Sequence, residues 1–165
     1  LFRSFNTFGP GENLNNLKKG MVSIFCSYIW KNKPIKVKGS LKRFRNFTYV
    51  DDCVEILAKS MVNKKLKNFE IFNLTSEKKI SVLKLINTIL KVKKLNNYKI
   101  KVLKNTPGDS FGLHANNKYL KTKFPKFKFM RTHDGLKKYF QWIDKVPNKK
   151  SLQNYHPLNF DNYKS

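Results

Sequence analysis

The sequence predicts an α/β fold. Short segments rich in strand-forming residues alternate along the chain with longer segments whose apolar residues recur at helical spacing. Of the 165 residues, 40% are hydrophobic and 14% aromatic, which is enough apolar side chain for the core of one domain or of a large part of one. We expect residues 1–145 to form the organised unit and residues 146–165 to form a polar, loose tail.

The first part of the chain predicts one helix between two strands. Residues 1–5 are typical of the end of a buried strand, and residues 6–11, with two glycines and a proline, predict a loop. Residues 35–39 predict a second strand, just after Pro34. The helix between them begins at Leu17, and its apolar side is predicted to comprise Leu17, Met21, Ile24, Phe25, Tyr28 and Ile29.

The middle of the chain predicts two further strands, each followed by a helix. Residues 46–50 and 69–74 have strand character, and Asp51 and Ser81 stand where helix N-caps are expected. The predicted apolar side of the first helix is Val54, Leu57, Ala58, Met61 and Val62, and that of the second is Val82, Leu85, Ile86, Ile89 and Leu90.

The last part of the chain predicts a strand at 100–103, a turn at 106–109, a short helix around 117–121 and a final helix over 134–143. The final helix has Leu136, Tyr139, Phe140 and Ile143 on one side. Because no internal repeat and no Gly/Ser linker interrupts these elements, they predict a single organised unit.

The net charge of +25 raises the question of a polyanionic partner. Of the 35 basic residues 31 are lysine, and they are spread along the chain, whereas recognition of bases and phosphates favours arginine. The dense lysine stretch at 118–128 is interleaved with Phe124, Phe127 and Phe129, a pattern that a single-strand stacking platform would also show. A basic nucleic-acid-binding module is therefore an alternative, ranked below a lysine-rich solvated surface.

Composition and motifs exclude several classes. The longest apolar stretch, residues 21–30, is far shorter than the roughly 20 residues of a spanning helix. Two cysteines, Cys26 and Cys53, cannot build a disulfide framework and indicate a reducing, cytoplasmic setting. The sequence contains no Gly-rich dinucleotide fingerprint, P-loop, HExxH or GxSxG motif, and its histidines lack metal-ligand spacing. We expect no metal site and no catalytic residues in this chain.

Five motifs occur in a recognisable order. They are RSFNTFGPG at 3–11, GS at 39–40 with RNFTYVDD at 45–52, FNL at 72–74, PGD at 107–109, and DGL at 134–136 with Trp142. In this order they resemble the NAD-dependent epimerase/dehydratase family, whose members are extended short-chain dehydrogenase-like enzymes that act on nucleotide sugars. The nearest likeness is to the UDP-glucose 4-epimerase type.

The resemblance implies the carboxy-terminal part of a Rossmann-like fold with a small mixed substrate-binding α/β subdomain. Its implied function is nucleotide-sugar binding within a UDP-hexose 4-epimerase type of enzyme; a dehydratase or decarboxylase, or a non-catalytic remnant, is an alternative. The family's NAD-binding βαβ unit and Tyr-x-x-x-Lys pair precede these motifs and are absent here. We therefore expect NAD to be bound mainly by a missing amino-terminal part, and this chain alone to be inactive.

Three further expectations follow from the resemblance. Tyr119 and Lys123 have the spacing of the catalytic pair but come after the nucleotide-sugar motifs, so we reject them as catalytic. The complete enzyme is expected to be a homodimer. A partial sheet would expose an open edge and an apolar face, so we also expect poor solubility.

The resemblance carries site roles over to nine positions. The Asn6 amide is implied to donate to a substrate phosphate, and the Arg45 fork to grip the diphosphate of a UDP-sugar. The other implied roles are uracil contact by Met21 and Val22, base-edge contact by Val37 and Lys38, ribose binding by Asp109, and contact with nicotinamide and sugar by Ser4 and Phe5.

Some of these assignments have structural alternatives. Asn6 would also suit a turn, and core packing explains Met21 and Val22 equally well. Thr106 stands where many family members have a second phosphate-binding arginine, so Arg43 or Lys42 would have to compensate.

Overall fold

The computed structural model describes residues 1–18, 20–76, 78–105 and 110–146. Eight short strands are β1 (Phe2–Ser4), β2 (Thr7–Phe8), β3 (Ile35–Lys38), β4 (Phe44–Arg45), β5 (Thr48–Tyr49), β6 (Phe72–Leu74), β7 (Ile80–Ser81) and β8 (Ile100–Leu103). Five helices are α1 (Met21–Trp30), α2 (Val50–Val62), α3 (Val82–Val92), α4 (Lys118–Lys123) and α5 (Thr132–Ile143). This alternation confirms the predicted α/β class.

The strands pair two by two, and most pairs are parallel. β1 pairs with β6, β2 with β5 and β3 with β8 in parallel, whereas β4 and β7 are antiparallel. Phe2 lies opposite Phe72 and Ile35 opposite Ile100, so each of these pairs joins distant parts of the chain. Parallel neighbours require a crossover connection, and the helices between them supply it.

The main core lies where α1, α3 and α5 meet β3. Ser81 begins α3 as its N-cap and accepts a hydrogen bond from the Lys84 backbone N–H at 3.1 Å, which confirms the predicted cap. Gly135 lets α5 approach closely, because a Cβ there would lie 3.0 Å from the Tyr49 ring and 3.1 Å from that of Phe8. The most deeply buried members of this core include Cys26, Ile35, Leu85, Ile86, Ile89, Leu136 and Tyr139.

A second, smaller core joins α2 and α4 to β6. Its buried members are Cys53, Ile56, Phe72, Leu74, Leu120 and Phe124. Phe72 and Leu74 alternate with Asn73 and therefore share one face of β6. Ile56 of α2 and Leu120 of α4 pack in the same cluster, so both helices help to cover the parallel pair of β1 and β6.

The first helix begins later than its apolar spacing predicts. Leu17 is outside α1 and 40% exposed, so its assignment to the helix is wrong. Gly20 occupies the N-cap position with a φ of 64°, a left-handed conformation that favours glycine and starts the helix at Met21. The buried side of α1 also includes two polar residues, Ser23 and Ser27.

The predicted apolar side of α2 is wrong. Val54, Leu57, Met61 and Val62 are 60%, 43%, 87% and 79% exposed, and we call these four residues the α2 stripe. The helix turns Cys53 and Ile56 inward, together with Asp52, whose Oδ2 accepts a hydrogen bond from the Met130 backbone N–H at 3.0 Å.

The cap of α2 also differs from the prediction. The N-cap residue is Tyr49 rather than Asp51, which lies in the first helical turn. A carboxylate there still favours the helix electrostatically without capping it.

Several boundaries shift as well. The first strand is shorter than residues 1–5 and is not buried, since Arg3 and Ser4 are exposed and Phe2 is half-buried. Phe69 is 75% exposed and precedes the strand that it was predicted to begin. Only Thr48–Tyr49 of residues 46–50 is a strand. The predicted turn at 106–109 and the tail beyond residue 146 lie outside the described residues.

Candidate nucleotide-sugar site

One small cavity brings three of the implied substrate residues together. Asn6, Met21 and Val22 line it with Thr7, Phe8, Gly20 and Phe47, and its volume is about 10 Å³. Asn6 is exposed and has a φ of 43°, and its carbonyl accepts a hydrogen bond from the Thr48 N–H at 3.3 Å. The end of β1, the start of α1 and the segment before β5 therefore converge on one point.

The implied uracil contacts differ in accessibility. Met21 is half-buried, whereas the Val22 side chain is only 2% exposed and belongs to the main core. Core packing thus accounts for Val22, and any ligand contact there has to come from its backbone.

The implied base-edge residues lie on β3 with opposite orientations. Val37 is fully buried and Lys38 is exposed, as the alternation of a strand requires. The Lys38 carbonyl accepts a hydrogen bond from Arg43 Nη2, and the Ser40 carbonyl accepts one from Arg43 Nε at 3.3 Å. Arg43 therefore fastens the turn that follows β3.

Arg45 and Arg43 form a pair of buried cations, with side chains 7% and 4% exposed. Arg45 Nη2 donates to the Ser110 carbonyl at 2.8 Å, and its Nη1 donates to the carbonyls of Phe44 at 2.8 Å and Phe111 at 3.4 Å. Burial, followed by repulsion from Arg43, lowers the pKa of Arg45 from its usual value. The Arg45 guanidinium thus ties β4 to residues 110–111 and lies close enough to Arg43 for the two positive charges to repel.

The remaining implied residues are less constrained. Ser4 is exposed and Phe5 half-buried at the end of β1, where the Phe5 N–H donates to the Leu74 carbonyl at 3.3 Å. Asp109 lies outside the described residues. Phe5 directly precedes Asn6 in the chain, but neither Phe5 nor Ser4 is among the residues that line the small cavity.

Sequence reasoning missed a buried network beside this cavity. Ser23 Oγ donates to the Glu12 carboxylate, and Tyr139 Oη donates to Ser23 Oγ at 3.2 Å. Burial raises the pKa of Glu12, although its hydrogen bond from Ser23 opposes this. Burial also raises the pKa of Tyr139 well above its usual value. The signal available in the sequence was a carboxylate directly after the Gly9–Gly11 loop.

Asn46 is a second residue that sequence reasoning did not single out. Its side chain is 1% exposed; Nδ2 donates to the Ser76 carbonyl at 2.7 Å, and Oδ1 accepts from the Ala115 N–H at 3.1 Å. The Oδ1 atom also lies 3.1 Å from His114 Nδ1. Asn46 thus joins three segments next to Arg45, and its place inside the RNFTYVDD motif was the only hint.

Tyr119 and Lys123 meet on a carboxylate rather than at the cavity. Tyr119 Oη donates to Glu70 Oε1 at 2.5 Å, and Lys123 Nζ lies 3.0 Å from the same oxygen. The hydrogen bond from Tyr119 is the main reason why the pKa of Glu70 falls to about 2. The pair therefore tethers α4 to the segment before β6.

Other candidate chemistry is not supported within the described residues. They contain no group of three or more His, Cys, Asp or Glu side chains suited to a metal ion. Phe124 is buried at 8% exposure, and Phe127 and Phe129 form an edge-to-face pair with ring centroids 5.0 Å apart. These rings pack against the second core and do not form an exposed stacking platform.

The parallel strand pairs, their crossover helices and a cavity beside the end of β1 define a Rossmann-like α/β protein. The model of the NAD dependent epimerase/dehydratase family matches residues 1–75. Over this stretch, the match agrees with the family that the motifs predict.

Two kinds of relatives agree with this family. Over 87 residues the chain is 32% identical to a dTDP-4-dehydro-6-deoxyglucose reductase of Escherichia coli, covering 53% of this chain and 27% of the reductase. Over 66 residues it is 38% identical to a GDP-6-deoxy-D-talose 4-dehydrogenase of Aggregatibacter actinomycetemcomitans, covering 40% and 21%. The chain thus spans about a quarter of the length of these curated relatives.

Solved structures show the same fold. A UDP-glucose 4-epimerase of Thermotoga maritima with UDP-glucose has a TM-score of 0.78 at 22% identity, covering 87% of this chain and 45% of the epimerase. A UDP-glucuronic acid 4-epimerase of Bacillus cereus, solved with UDP-glucuronic acid and NAD, has a TM-score of 0.77 at 22% identity, covering 88% and 45%. These matches confirm the predicted Rossmann-like class. Within the described residues, no helix is long and apolar enough to cross a membrane.

Proposed function

We propose that this chain is the nucleotide-sugar-binding part of an NAD-dependent epimerase/dehydratase, of the UDP-hexose 4-epimerase type. The observation that carries the proposal is the convergence of Asn6, Met21 and Val22 beside the end of β1; the cavity of about 10 Å³ between them marks this place and is far smaller than the ligand. Ligands of open parallel α/β sheets bind outside the carboxyl ends of the strands, and Asn6 follows β1 at that end.

The buried arginine pair supports a diphosphate as the bound group. Arg45 and Arg43 hold two guanidinium groups close to β4, and β4 leads within two residues to Phe47, which lines the small cavity. A diphosphate carries negative charge, which two neighbouring guanidinium groups attract in addition to the backbone carbonyls that they hold. In this proposal the Asn6 amide donates to a phosphate oxygen, and Met21 borders the base.

The other implied contacts complete the proposed site. Lys38 extends from β3 near the base edge with Val37 beneath it, and Asp109 accepts hydrogen bonds from ribose hydroxyls. Ser4 and Phe5 border the nicotinamide. We assign these roles from the family resemblance; among them, Phe5 directly precedes Asn6 in the chain, and the Lys38 carbonyl accepts a hydrogen bond from Arg43.

The cofactor would be held mainly by polypeptide outside this chain. Among the described residues we assign NAD contacts to Ser4 and Phe5 alone, because the sequence contains no Gly-rich dinucleotide fingerprint. NAD supplies reversible hydride acceptance from the sugar, and the contribution of this chain is to bind and orient the diphosphate. A complete homodimeric enzyme, a cytoplasmic setting and inactivity of this chain by itself belong to the same proposal.

Calorimetric titration with UDP tests the site. The Asn6→Gly variant is well suited because glycine adopts the φ of 43° without strain and removes only the amide. We expect this variant to fold normally and to bind UDP at least about tenfold more weakly than the parent. The matched control is Asn97→Gly, at an exposed asparagine with a φ of 55°, which should leave UDP binding unchanged.

A second variant tests the role of the arginine. Arg45→Lys keeps the positive charge but loses the two-pronged donor, so weaker UDP binding is expected, while Arg3→Lys at an exposed site serves as its control. Absence of UDP binding by the parent, or equal affinity of the parent and Asn6→Gly, would overturn the proposal for this chain.

A further inference from the structure

A second cavity lies away from the proposed nucleotide-sugar site. Its volume is about 300 Å³, at the lower end of the range of roughly 300–1,000 Å³ typical of small-molecule sites. The segment after β6, helix α4 and the start of α5 form its walls. It shares no lining residue with the small cavity at Asn6.

The lining of this cavity is strongly basic. Lys78, Lys121, Lys128 and Arg131 all contribute to it, and no described lining residue is acidic. Two carboxylates are close by: Asp134 Oδ2 accepts from Arg131 Nε at 2.6 Å, and Asp52 accepts from the Met130 backbone. Because Asp134 offsets Arg131, we assign most of the attraction for an anion to Lys78 and Lys128.

The start of α5 adds backbone donors to the same cavity. Arg131 is the N-cap residue and makes no side-chain cap, and Thr132 is the first helical residue. The first intrahelical bonds are made by the N–H groups of Asp134 and Gly135, both to the Arg131 carbonyl. The N-terminus of this 12-residue helix, with its first amides and its positive dipole end, therefore borders the cavity.

Asn117 supplies an independent observation. Its side chain is 1% exposed and lines the cavity, and Nδ2 donates to the Thr75 carbonyl at 2.7 Å. Because Nδ2 is the donor in that bond, the remaining polar atom of the side-chain amide is the acceptor Oδ1. This buried oxygen has no hydrogen-bond partner. An unpaired buried acceptor destabilises a fold, so a donor from a bound molecule would relieve it.

We propose that this cavity binds a small phosphate ester with a hydroxyl close to the phosphate. Lys78, Lys128 and the start of α5 take the phosphate, Asn117 Oδ1 accepts from the hydroxyl, and the half-buried rings of Phe127 and Phe129 form an apolar wall. A sugar phosphate and a nucleoside monophosphate share this chemistry. The site is separate from the one at Asn6 and Arg45, so its success or failure does not depend on the proposed function.

Titration calorimetry on the Asn6→Gly variant, in which the proposed UDP site is weakened, tests the proposal with three probes: inorganic phosphate, glucose 1-phosphate and uridine monophosphate. We expect saturable 1:1 binding of at least one ester, at least about tenfold tighter than inorganic phosphate because only the ester brings the second contact. Comparing the affinities of the two esters shows whether the cavity prefers a sugar or a nucleoside attached to the phosphate. No saturable binding, or inorganic phosphate binding as tightly as both esters, would overturn the proposal.

Two double variants distinguish binding at this cavity from a nonspecific attraction of the ester to the positively charged chain. Lys78→Gln with Lys128→Gln removes two exposed lysines of the cavity and should weaken ester binding at least about tenfold. The control, Lys91→Gln with Lys94→Gln, removes the same charge from exposed positions elsewhere and should have little effect. An equal loss in both double variants would refute a specific site and indicate charge alone.

Discussion

Truncation of Asn46 to alanine should be among the most damaging single changes near the proposed site. Asn46 is 1% exposed, and its amide bridges the Ser76 carbonyl on one side and the Ala115 N–H on the other, with His114 close by. Alanine can make none of these hydrogen bonds. The change would therefore separate β4 from two segments that are 30 and 69 residues away in the chain.

The magnitude follows from the groups that lose their partners. Leaving a buried donor or acceptor unpaired costs about 1–3 kcal/mol. Ser76 O keeps a second donor, Thr75 Oγ1 at 3.0 Å, and the half-buried Ala115 N–H can be reached by water. Both facts lower the cost, so we expect Asn46→Ala to reduce the free energy of unfolding by about 2–4 kcal/mol.

Urea unfolding followed by circular dichroism measures this loss. The control is Asn87→Ala, at an exposed position on α3, which should change the free energy of unfolding by less than about 1 kcal/mol. A loss below about 1 kcal/mol for Asn46→Ala would refute the claim that its amide is a structural bridge.

Three further predictions concern other elements. Ser81→Ala removes the N-cap of α3 and should cost about 1 kcal/mol in urea unfolding. The pKa of Glu70, lowered to about 2, means that its contacts stabilise the fold above pH 4.5 and are lost as the pH falls towards 2. Tyr119→Phe should weaken this acid dependence, as followed by circular dichroism. Replacing both Met61 and Val62 by lysine should raise the soluble yield and lower light scattering, with little change in unfolding.

Each of these three has a contradicting outcome. A Ser81→Thr variant should keep most of the stability that Ser81→Ala loses, and equal losses would argue against a hydroxyl cap. An acid limb that is identical in the parent and in Tyr119→Phe would contradict the role of the Glu70 contact. Unchanged light scattering in the lysine variant would show that the α2 stripe does not drive association.

Local patterns predicted those elements whose apolar side faces a core. In α3 the Ser81 cap and the spacing of Leu85, Ile86 and Ile89 specify both the start and the buried side of the helix, and both are confirmed. The strand at Ile35–Lys38 is confirmed for the same reason, because its alternation of buried and exposed residues matches its position beside α1.

The sequence did not reveal which side of α2 is buried. Spacing identifies an apolar side, but burial depends on what packs there, and Cys53 and Ile56 meet β6 and α4 instead. Similarly, the late start of α1 depends on the left-handed backbone at Gly20, which an apolar spacing that includes Leu17 cannot show.

The family motifs named the residues of the candidate site, but they did not reveal the long-range contacts around it. Asn6, Met21 and Val22 came from the family pattern, and the structure brings them to one cavity. The carbonyls that hold Arg45 lie 65 and 66 residues further along the chain, at Ser110 and Phe111, and no local rule connects them. Long-range pairing of this kind depends on tertiary packing rather than on propensity.

Because the α2 stripe is exposed, the free energy of unfolding of this chain depends on which molecules bind to the stripe. Any molecule that covers Met61 and its apolar neighbours in the folded state, but not in the unfolded chain, shifts the folding equilibrium by mass action. Tenfold more of such a molecule, at concentrations above its dissociation constant, adds about 1.4 kcal/mol. A melting temperature measured on the dilute chain is accordingly a lower limit for the chain with this stripe covered.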